Sequence, residues 1–353
     1  MGQEFSLIDR YFRPLSQGLS QDEIGIGDDG AVLTPPPKHQ LVVVTDTLVA
    51  GVHFPEHATA DDIAWKAVAV NLSDLAAMGA KPNSFTLGLT LPEHNEAWLH
   101  DFAQGLKAIC QRYRVPLVGG DTTKGPLTLT VTANGWVPTG TALLRSGAKE
   151  GDKIAVTGEL GDAGLGLKIA LNRLSHTEQA WLDEPHKNYT ALLLSALNRP
   201  QPQLEIGQRL IGLASSAIDV SDGLLADLGH ILECSNQLNE SLTDELAAEV
   251  ELGQLPLSDA MQHWFRQRPE WTLPLAAGDD YQLCFTVPPK NWDGVVRLAE
   301  QLGVKVTEIG RMKRAAQAKR GIYFSDRSRE VFADDSAYDA FLQTIKQSGY
   351  QHF

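Results

Sequence analysis

The feature that most constrains this chain is a change of hydrophobic period that repeats along its length. Residues 40–49, QLVVVTDTLV, are β-branched and apolar and contain a carboxylate near their end, the composition of a buried strand. Residues 61–82, DDIAWKAVAVNLSDLAAMGAKP, switch to helical spacing. Asp61 and Asp62 suit the positive end of that helix, and Gly79 and Pro82 suit its stop. SFTLGLTLP (84–92) then predicts a strand, EAWLHDFAQGLKAICQRYR (96–114) an amphipathic helix, and VPLVGGDTT (115–123) a short strand running into a turn. LTLTVTANGWV (127–137) alternates as a half-buried strand does.

The pattern restarts after LLRSGAKEGDKIAVTGEL (143–160). A strand is expected in DKIAVTG, a helix after GDAGLG, another over 203–214, and an extended-then-helical segment in SSAIDVSDGLLADLGHILECS (215–235). PLAAGDDYQLCFTV (274–287), VKVTEIGRM (304–312) and RGIYFS (320–325) supply later strands. Both halves read as α/β. At 353 residues the chain exceeds a usual single core, so two domains are expected, 1–140 and 150–353, with the boundary near 138–150.

Charge narrows the partners. The net charge is −14, and no Lys/Arg-rich cluster is available to neutralise a nucleic-acid backbone or an anionic membrane surface. A phosphorylated ligand would therefore need cations to mediate its contact. Cys110, Cys234 and Cys284 are odd in number and far apart, which argues against a disulfide framework or a thiolate zinc site and suits a reducing cytoplasm. No apolar run reaches the length of a spanning helix.

Residues 25–30, GIGDDG, formally match the dinucleotide-binding glycine pattern, which requires a helix to follow. Pro35, Pro36 and Pro37 follow instead and exclude it. No phosphate-binding G-x-x-x-x-G-K-[ST] loop occurs. His53 and His57 are separated by Pro55 and do not share a helical face, so a catalytic zinc site is not expected. DVSDG lacks the twelve-residue spacing of a calcium-binding loop.

What remains is a set of aspartates at structural punctuation: Asp28 and Asp29 in the glycine turn, Asp46 near a strand end, Asp121 after Gly119–Gly120, Asp219 and Asp222 in IDVSDG, and Asp279 and Asp280 in AGDDYQL. Each is a residue that a turn or cap also calls for. Asp74 differs: it shares an apolar helical stripe with Ile63, Ala67, Val70 and Ala77. A carboxylate on that face needs a basic partner or a metal. Hard oxygen donors without thiolates or a histidine cluster point to Mg²⁺, and several such donors fit metal-assisted phosphoryl transfer. Gly119–Gly120 would admit a phosphate close to the backbone, and Arg145 would add a bidentate donor.

The segments GDDGAV, TDTLVAGVHF, NLSDLAAMGAKP, GGDTT, IDVSDGL and GDDYQL, in that order, together resemble the thiamine-monophosphate kinase family, within the superfamily of aminoimidazole-ribonucleotide synthetase and selenophosphate synthetase. The ending SGYQHF resembles the family's C-terminal signature. The resemblance implies an α/β (α+β) fold with the two-domain, PurM-like architecture. Its N-terminal domain would carry a four-stranded sheet that pairs in a homodimer to form a barrel. It implies Mg²⁺ ions held by Asp28, Thr45, Asp46, Asp74, Asp121, Asp219 and Asp222, with Asp29 serving the turn. ATP would be contacted by Gly120, Asp121, Arg145 and Ser221, and thiamine monophosphate by His53, Asp279 and Tyr350. Position 279 departs from the glutamate common in the family by one methylene.

The implied reaction is ATP-dependent phosphorylation of thiamine monophosphate to thiamine diphosphate by direct in-line transfer, the last step of thiamine diphosphate biosynthesis. No covalent nucleophile is implied, and Asp121 and Asp222 are the most critical metal-assisting residues. Selenophosphate synthetase would need a reactive N-terminal cysteine or selenocysteine, yet the first cysteine here is Cys110. The hydrogenase-maturation relative ends in a functional cysteine, where this chain ends in Phe353. A non-catalytic Mg-nucleotide sensor would bind ATP without turnover, and a two-metal phosphohydrolase would release phosphate with no acceptor.

Overall fold

The computed structural model describes residues 7–20, 22–182, 187–238, 245–315 and 320–347. The chain divides into two compact units, one of Met1–Leu75 with Ala80–Ala142 and one of Ala76–Gly79 with Leu143–Phe353.

The first unit holds β1 (His39–Val49), α1 (Ala60–Ala77, continuing into the second unit's residues), β2 (Lys81–Leu91), α2 (Glu96–Tyr113), β3 (Leu117–Lys124) and β4 (Thr128–Pro138). They form a four-stranded sheet in the order β1-β4-β2-β3. β4 runs antiparallel to β1 and β2, and β3 runs parallel to β2. Side chains alternate between the sheet's two faces, and the alternation separates two environments. Val42 and Leu48 of β1 are buried, whereas Leu41 and Val43 stay 51% and 54% exposed. Asn95 caps α2, its side chain accepting from the Trp98 N–H, and Arg114 ends that helix in the left-handed conformation. Gly105 lets α2 press against α1, since a Cβ there would lie 2.3 Å from the Asp61 carbonyl oxygen.

The predicted turn at GGDTT is instead regular strand. β3 continues through Gly119, Gly120 and Asp121 to Lys124, paired with β2 from Gly119 onward after an irregularity at Val118. Gly-Gly-Asp reads as a turn locally, but the pairing with β2 supplies the hydrogen bonds that hold it extended. Gly120 fits because a Cβ would meet the Leu87 carbonyl oxygen at 2.0 Å.

The second unit is built on a six-stranded sheet, β10-β7-β9-β5-β8-β6. Its elements run β5 (Lys153–Thr157), α3 (Asp162–Ala170), α4 (His176–Trp181), α5 (Tyr189–Asn198), α6 (Leu204–Arg209), β6 (Ser216–Asp219), α7 (Leu224–Gln237) and β7 (Leu246–Val250). They continue with α8 (Asp259–Gln267), α9 (Thr272–Ala276), β8 (Leu283–Val287), α10 (Trp292–Leu302), β9 (Val306–Arg314), β10 (Ile322–Phe324) and α11 (Asp335–Gln347). The core packs Ile154, Val156, Ile218, Leu228, Ile231 and Cys284. The strand expected over 274–287 begins only at Leu283: Pro274–Ala276 finish α9, and the segment between is the GDDYQ loop. The helix expected over 203–214 is short, Leu204–Arg209. Among the described residues no helix is long and apolar enough to cross a membrane.

Candidate functional site

In the first unit a cavity of about 420 Å³ opens between the glycine turn and the β3 edge, a volume suited to a small ligand. Asp28 and Asp29 line one side of it and Gly119, Gly120 and Asp121 the other. Ser16 sets their spacing. Its hydroxyl donates to the Leu117 carbonyl at 2.6 Å and accepts from the Ile26 N–H at 3.3 Å, tying the turn to β3. The carboxylates of Asp28 and Asp121 each accept from the next residue's N–H, at 2.9 Å in both cases, which leaves the outer oxygens toward solvent. Arg13 is the one cationic side chain among the described residues lining the cavity. Its guanidinium lies over Gly27, where a Cβ would come within 2.9 Å of it. The cavity's floor is apolar, with Phe12, Leu87 and Leu117.

A second group lies at the opposite edge of the same sheet. Asp46 of β1 and Asp74 of α1 meet through their side chains with His53 nearby. Burial pushes Asp46 above the usual carboxylate range, against the lowering effects of the hydrogen bond with Asp74 and the charge of His53. His53 Nδ1 accepts from the Val49 N–H at 3.0 Å, an arrangement that in the neutral imidazole places the ring proton on Nε2. One partner of Asp74, on the stripe where the sequence asks for one, is thus another carboxylate. Two carboxylates in contact require a shared proton or a cation between them, and their hard oxygens fit Mg²⁺.

Thr45 points the other way. It is exposed on the open face, 3.0 Å from the Thr132 hydroxyl. The sheet order sets β1 three strands from β3. Asp46 pairs with Val131, Val131 with Leu87, and Leu87 with Gly120, so Asp46 and Gly120 end the same rung about 14 Å apart. Among the described residues no cluster of three or more His, Cys, Asp or Glu is arranged to hold a metal. Within the first unit the aspartates expected to share metals are thus divided between the two edges of the sheet.

In that unit Asp219 ends β6 and is 3% exposed, while Ser221 and Asp222 are half-buried on the loop before α7. Arg145 is exposed beside β6, on a segment anchored by the hydrogen bond from the Ala217 N–H to the Leu144 carbonyl at 2.9 Å. Asp227, in the first turn of α7, accepts from the N–H groups of Ser221, Asp222 and Gly223. Burial, then the charges of Asp219 and Asp222, push its carboxyl up to about 8. The GDDY loop lies against this one: the Asp279 N–H donates to the Ser221 carbonyl and the Tyr281 N–H to the Val220 carbonyl, both at 2.8 Å.

Asp279 and Tyr281 both adopt left-handed backbone, φ 63° and 48°, and the Tyr281 hydroxyl donates to Asp279 at 3.0 Å. Asp280 instead caps α3, both carboxylate oxygens accepting from the Gly161 N–H at 2.9 and 3.0 Å. Burial holds Asp280 well above the usual carboxylate range. Tyr350 lies outside the described residues. The sequence reading missed Arg13, Asp227 and Tyr281. Asp227 carried one usable signal, an acid four residues beyond Gly223 at the start of a helix.

Residues 27–137 match the family of AIR synthase related protein, N-terminal domain. The thiamine-monophosphate kinase of Escherichia coli K12 is 44% identical over 338 residues, covering 96% of this chain and 98% of the relative. The crystal structure of thiamine-monophosphate kinase from Stenotrophomonas maltophilia superposes with a TM-score of 0.79 at 42% identity, covering 92% of this chain and 98% of that one. AaThiL complexed with AMPPCP and TMP superposes with a TM-score of 0.71 at 27% identity, covering 99% of this chain and 97% of that one. A likeness of this strength along almost the whole chain shows that it belongs to the thiamine-monophosphate kinase family.

Proposed function

We propose that this chain transfers the γ-phosphoryl group of ATP to thiamine monophosphate, giving ADP and thiamine diphosphate, the last step of thiamine diphosphate biosynthesis. The observation that carries the reading is the 44% identity to a thiamine-monophosphate kinase across 96% of the chain. The solved relative held with AMPPCP and TMP adds support.

The acceptor phosphate is ionised at neutral pH, so no strong general base is needed. What the protein must supply is alignment and relief of anion–anion repulsion. Asp28, Thr45, Asp46, Asp74, Asp121, Asp219 and Asp222 are the residues proposed to hold Mg²⁺, with Asp121 and Asp222 the most critical. Mg²⁺ held there would supply neutralisation of the phosphates' negative charge. Gly120, Asp121, Arg145 and the Ser221 hydroxyl are assigned to ATP. The Nε2 proton of His53 is assigned to the acceptor phosphate, and Asp279, steadied by Tyr281, to the cationic part of the substrate. Tyr350 is assigned to the same substrate by its place in the C-terminal signature. On this reading residues 1–140 act as the metal and nucleotide domain and 150–353 as the second domain, and the enzyme works in the cytoplasm.

A homodimer belongs to the same proposal. Leu41 and Val43, over half exposed, share the open sheet face with Trp136, which stands opposite Leu41. If two such faces close with the two-fold axis along the barrel, β1 of one protomer meets β3 of the other. The two ends of the Asp46–Gly120 rung would then come together across the interface.

The test is to incubate the protein with ATP and Mg²⁺ and follow thiamine diphosphate by chromatography, with thiamine monophosphate, free thiamine or no acceptor. Product is expected with the monophosphate and lost in Asp121→Ala. Nucleotide binding without any diphosphate formed would overturn the reading.

A further inference from the structure

Asp227 has no place in the site as the motifs define it, yet it organises one of that site's loops. It is 2% exposed, and its Oδ2 accepts from three consecutive N–H groups, Ser221 at 3.0 Å, Asp222 at 3.2 Å and Gly223 at 3.1 Å. Successive N–H groups converging on one point are how a backbone ordinarily holds a phosphate. Here the protein's own carboxylate fills that point. The Ser221 N–H is thereby committed, so a nucleotide can use only the Ser221 hydroxyl. The Asp227 oxygen that takes three donors is equally committed, and is badly placed to serve a cation.

The loop is gripped from its other side as well. The Ser221 carbonyl accepts from the Asp279 N–H at 2.8 Å, and Gly278, φ 72°, passes so close that a Cβ would lie 2.4 Å from that carbonyl oxygen. A Cβ on Gly223, φ 115°, would lie 2.8 Å from the Ala276 Cα.

We propose that Asp227 is a positioning residue of the phosphoryl transfer, fixing the Ser221–Gly223 loop so that the Ser221 hydroxyl and the Asp222 carboxylate are presented together. The inference rests on the functional reading above. It gives Asp227 work as a hydrogen-bond acceptor of fixed position, with no contact to substrate and no role for its charge.

Two substitutions separate these possibilities in the full-length enzyme. Asp227→Asn keeps an acceptor oxygen in place and removes the ionisable group, and it should stay within about threefold of wild type in kcat. Asp227→Glu keeps the ionisable carboxyl and displaces the oxygen, and it should lower kcat by about 100-fold with KM for thiamine monophosphate little changed. Asp227→Ala should behave like the glutamate variant. Amide hydrogen exchange supplies a readout apart from activity: Ser221, Asp222 and Gly223 should exchange about 100-fold faster in the glutamate and alanine variants, with β8 amides unaffected. Retention in Asp227→Glu with loss in Asp227→Asn would mean that the ionisable group matters rather than the position of its oxygen, and overturns the proposal. Full activity in all three variants overturns it too. Should the glutamate and alanine variants fail to fold, Asp227→Asn decides alone, since a large loss of kcat there contradicts a positional role. A wild-type protein that makes no thiamine diphosphate brings down the functional reading itself, whereas an active wild type beside an equally active Asp227→Ala brings down this proposal only.

Discussion

Gly120 gives the sharpest structural prediction, because its two possible reasons for being glycine separate cleanly. A Cβ at this position would sit 2.0 Å from the Leu87 carbonyl oxygen, 2.9 Å from its carbon and 3.1 Å from its nitrogen. An ordinary contact needs about 3.4 Å, so in Gly120→Ala β3 must move off β2 by about 1.4 Å at this rung, or the Leu87 peptide must rotate. Leu87 and Gly120 are register partners, and either movement weakens the ladder hydrogen bonds around them. Two such bonds at about 1 kcal/mol each, with one buried polar group left unsatisfied at about 1–3 kcal/mol, give a destabilisation of about 3–5 kcal/mol.

Gly119→Ala is the internal control, since the nearest atom to its Cβ would be a Thr86 methyl at 3.7 Å. That variant should lie within about 0.5 kcal/mol of wild type. Denaturant unfolding, read together with hydrogen exchange of β2 and β3 amides so that the first unit is followed by itself, measures both. A loss of ATP affinity in Gly119→Ala at unchanged stability would identify position 119 as the place of close nucleotide approach. Gly120→Ala as stable as Gly119→Ala would refute the steric argument.

Burial first, and the charge of Glu159 among lesser causes, push the Asp162 carboxyl up to about 6, although the Ser258 hydroxyl donates to it at 2.6 Å. A raised carboxyl pKa favours the folded state while the group is protonated, so its contribution is fully favourable below about pH 4 and is lost as pH rises through 6. Asp162→Asn should therefore be more stable than wild type by about 1–3 kcal/mol at pH 7, with the gap closing toward pH 4. A pH-independent gap in urea unfolding would contradict this. Arg13, held by Asp9 at 2.8 Å and facing the cavity of the first unit, should matter for the anionic nucleotide. Arg13→Ala should raise KM for ATP about tenfold and leave that for thiamine monophosphate nearly unchanged, and steady-state kinetics decide it. Val43→Glu places a charge on the open sheet face and should yield monomers in analytical ultracentrifugation, while unchanged sedimentation would count against dimerisation through this face.

Strong, local periodicity made most of the first unit readable. β1, α1, β2, α2 and β4 lie within a few residues of where their patterns place them, because each buries a face that its own spacing defines. GGDTT was not readable in this way. Its glycines suit a turn in isolation, and only the neighbouring β2 makes it a strand. The same holds for the distance between Asp46 and Asp121: both mark strand ends in the sequence, but strand order, a long-range property, sets them on opposite edges. Asp74 was legible as a carboxylate in need of a partner, though not that Asp46 would be one of its contacts. Asp227 resembles any helical acid until the three N–H groups are seen to converge on it.

The central claim concerns where one phosphoryl group goes, and a single-turnover experiment follows it directly. With γ-labelled ATP, Mg²⁺, thiamine monophosphate and excess enzyme over nucleotide, the label should pass to the terminal phosphate of thiamine diphosphate at the rate at which ADP appears. Neither labelled protein nor labelled inorganic phosphate should accumulate on the way. Label released as inorganic phosphate whether or not thiamine monophosphate is present, or held on the protein before reaching the acceptor, would contradict direct transfer by this chain.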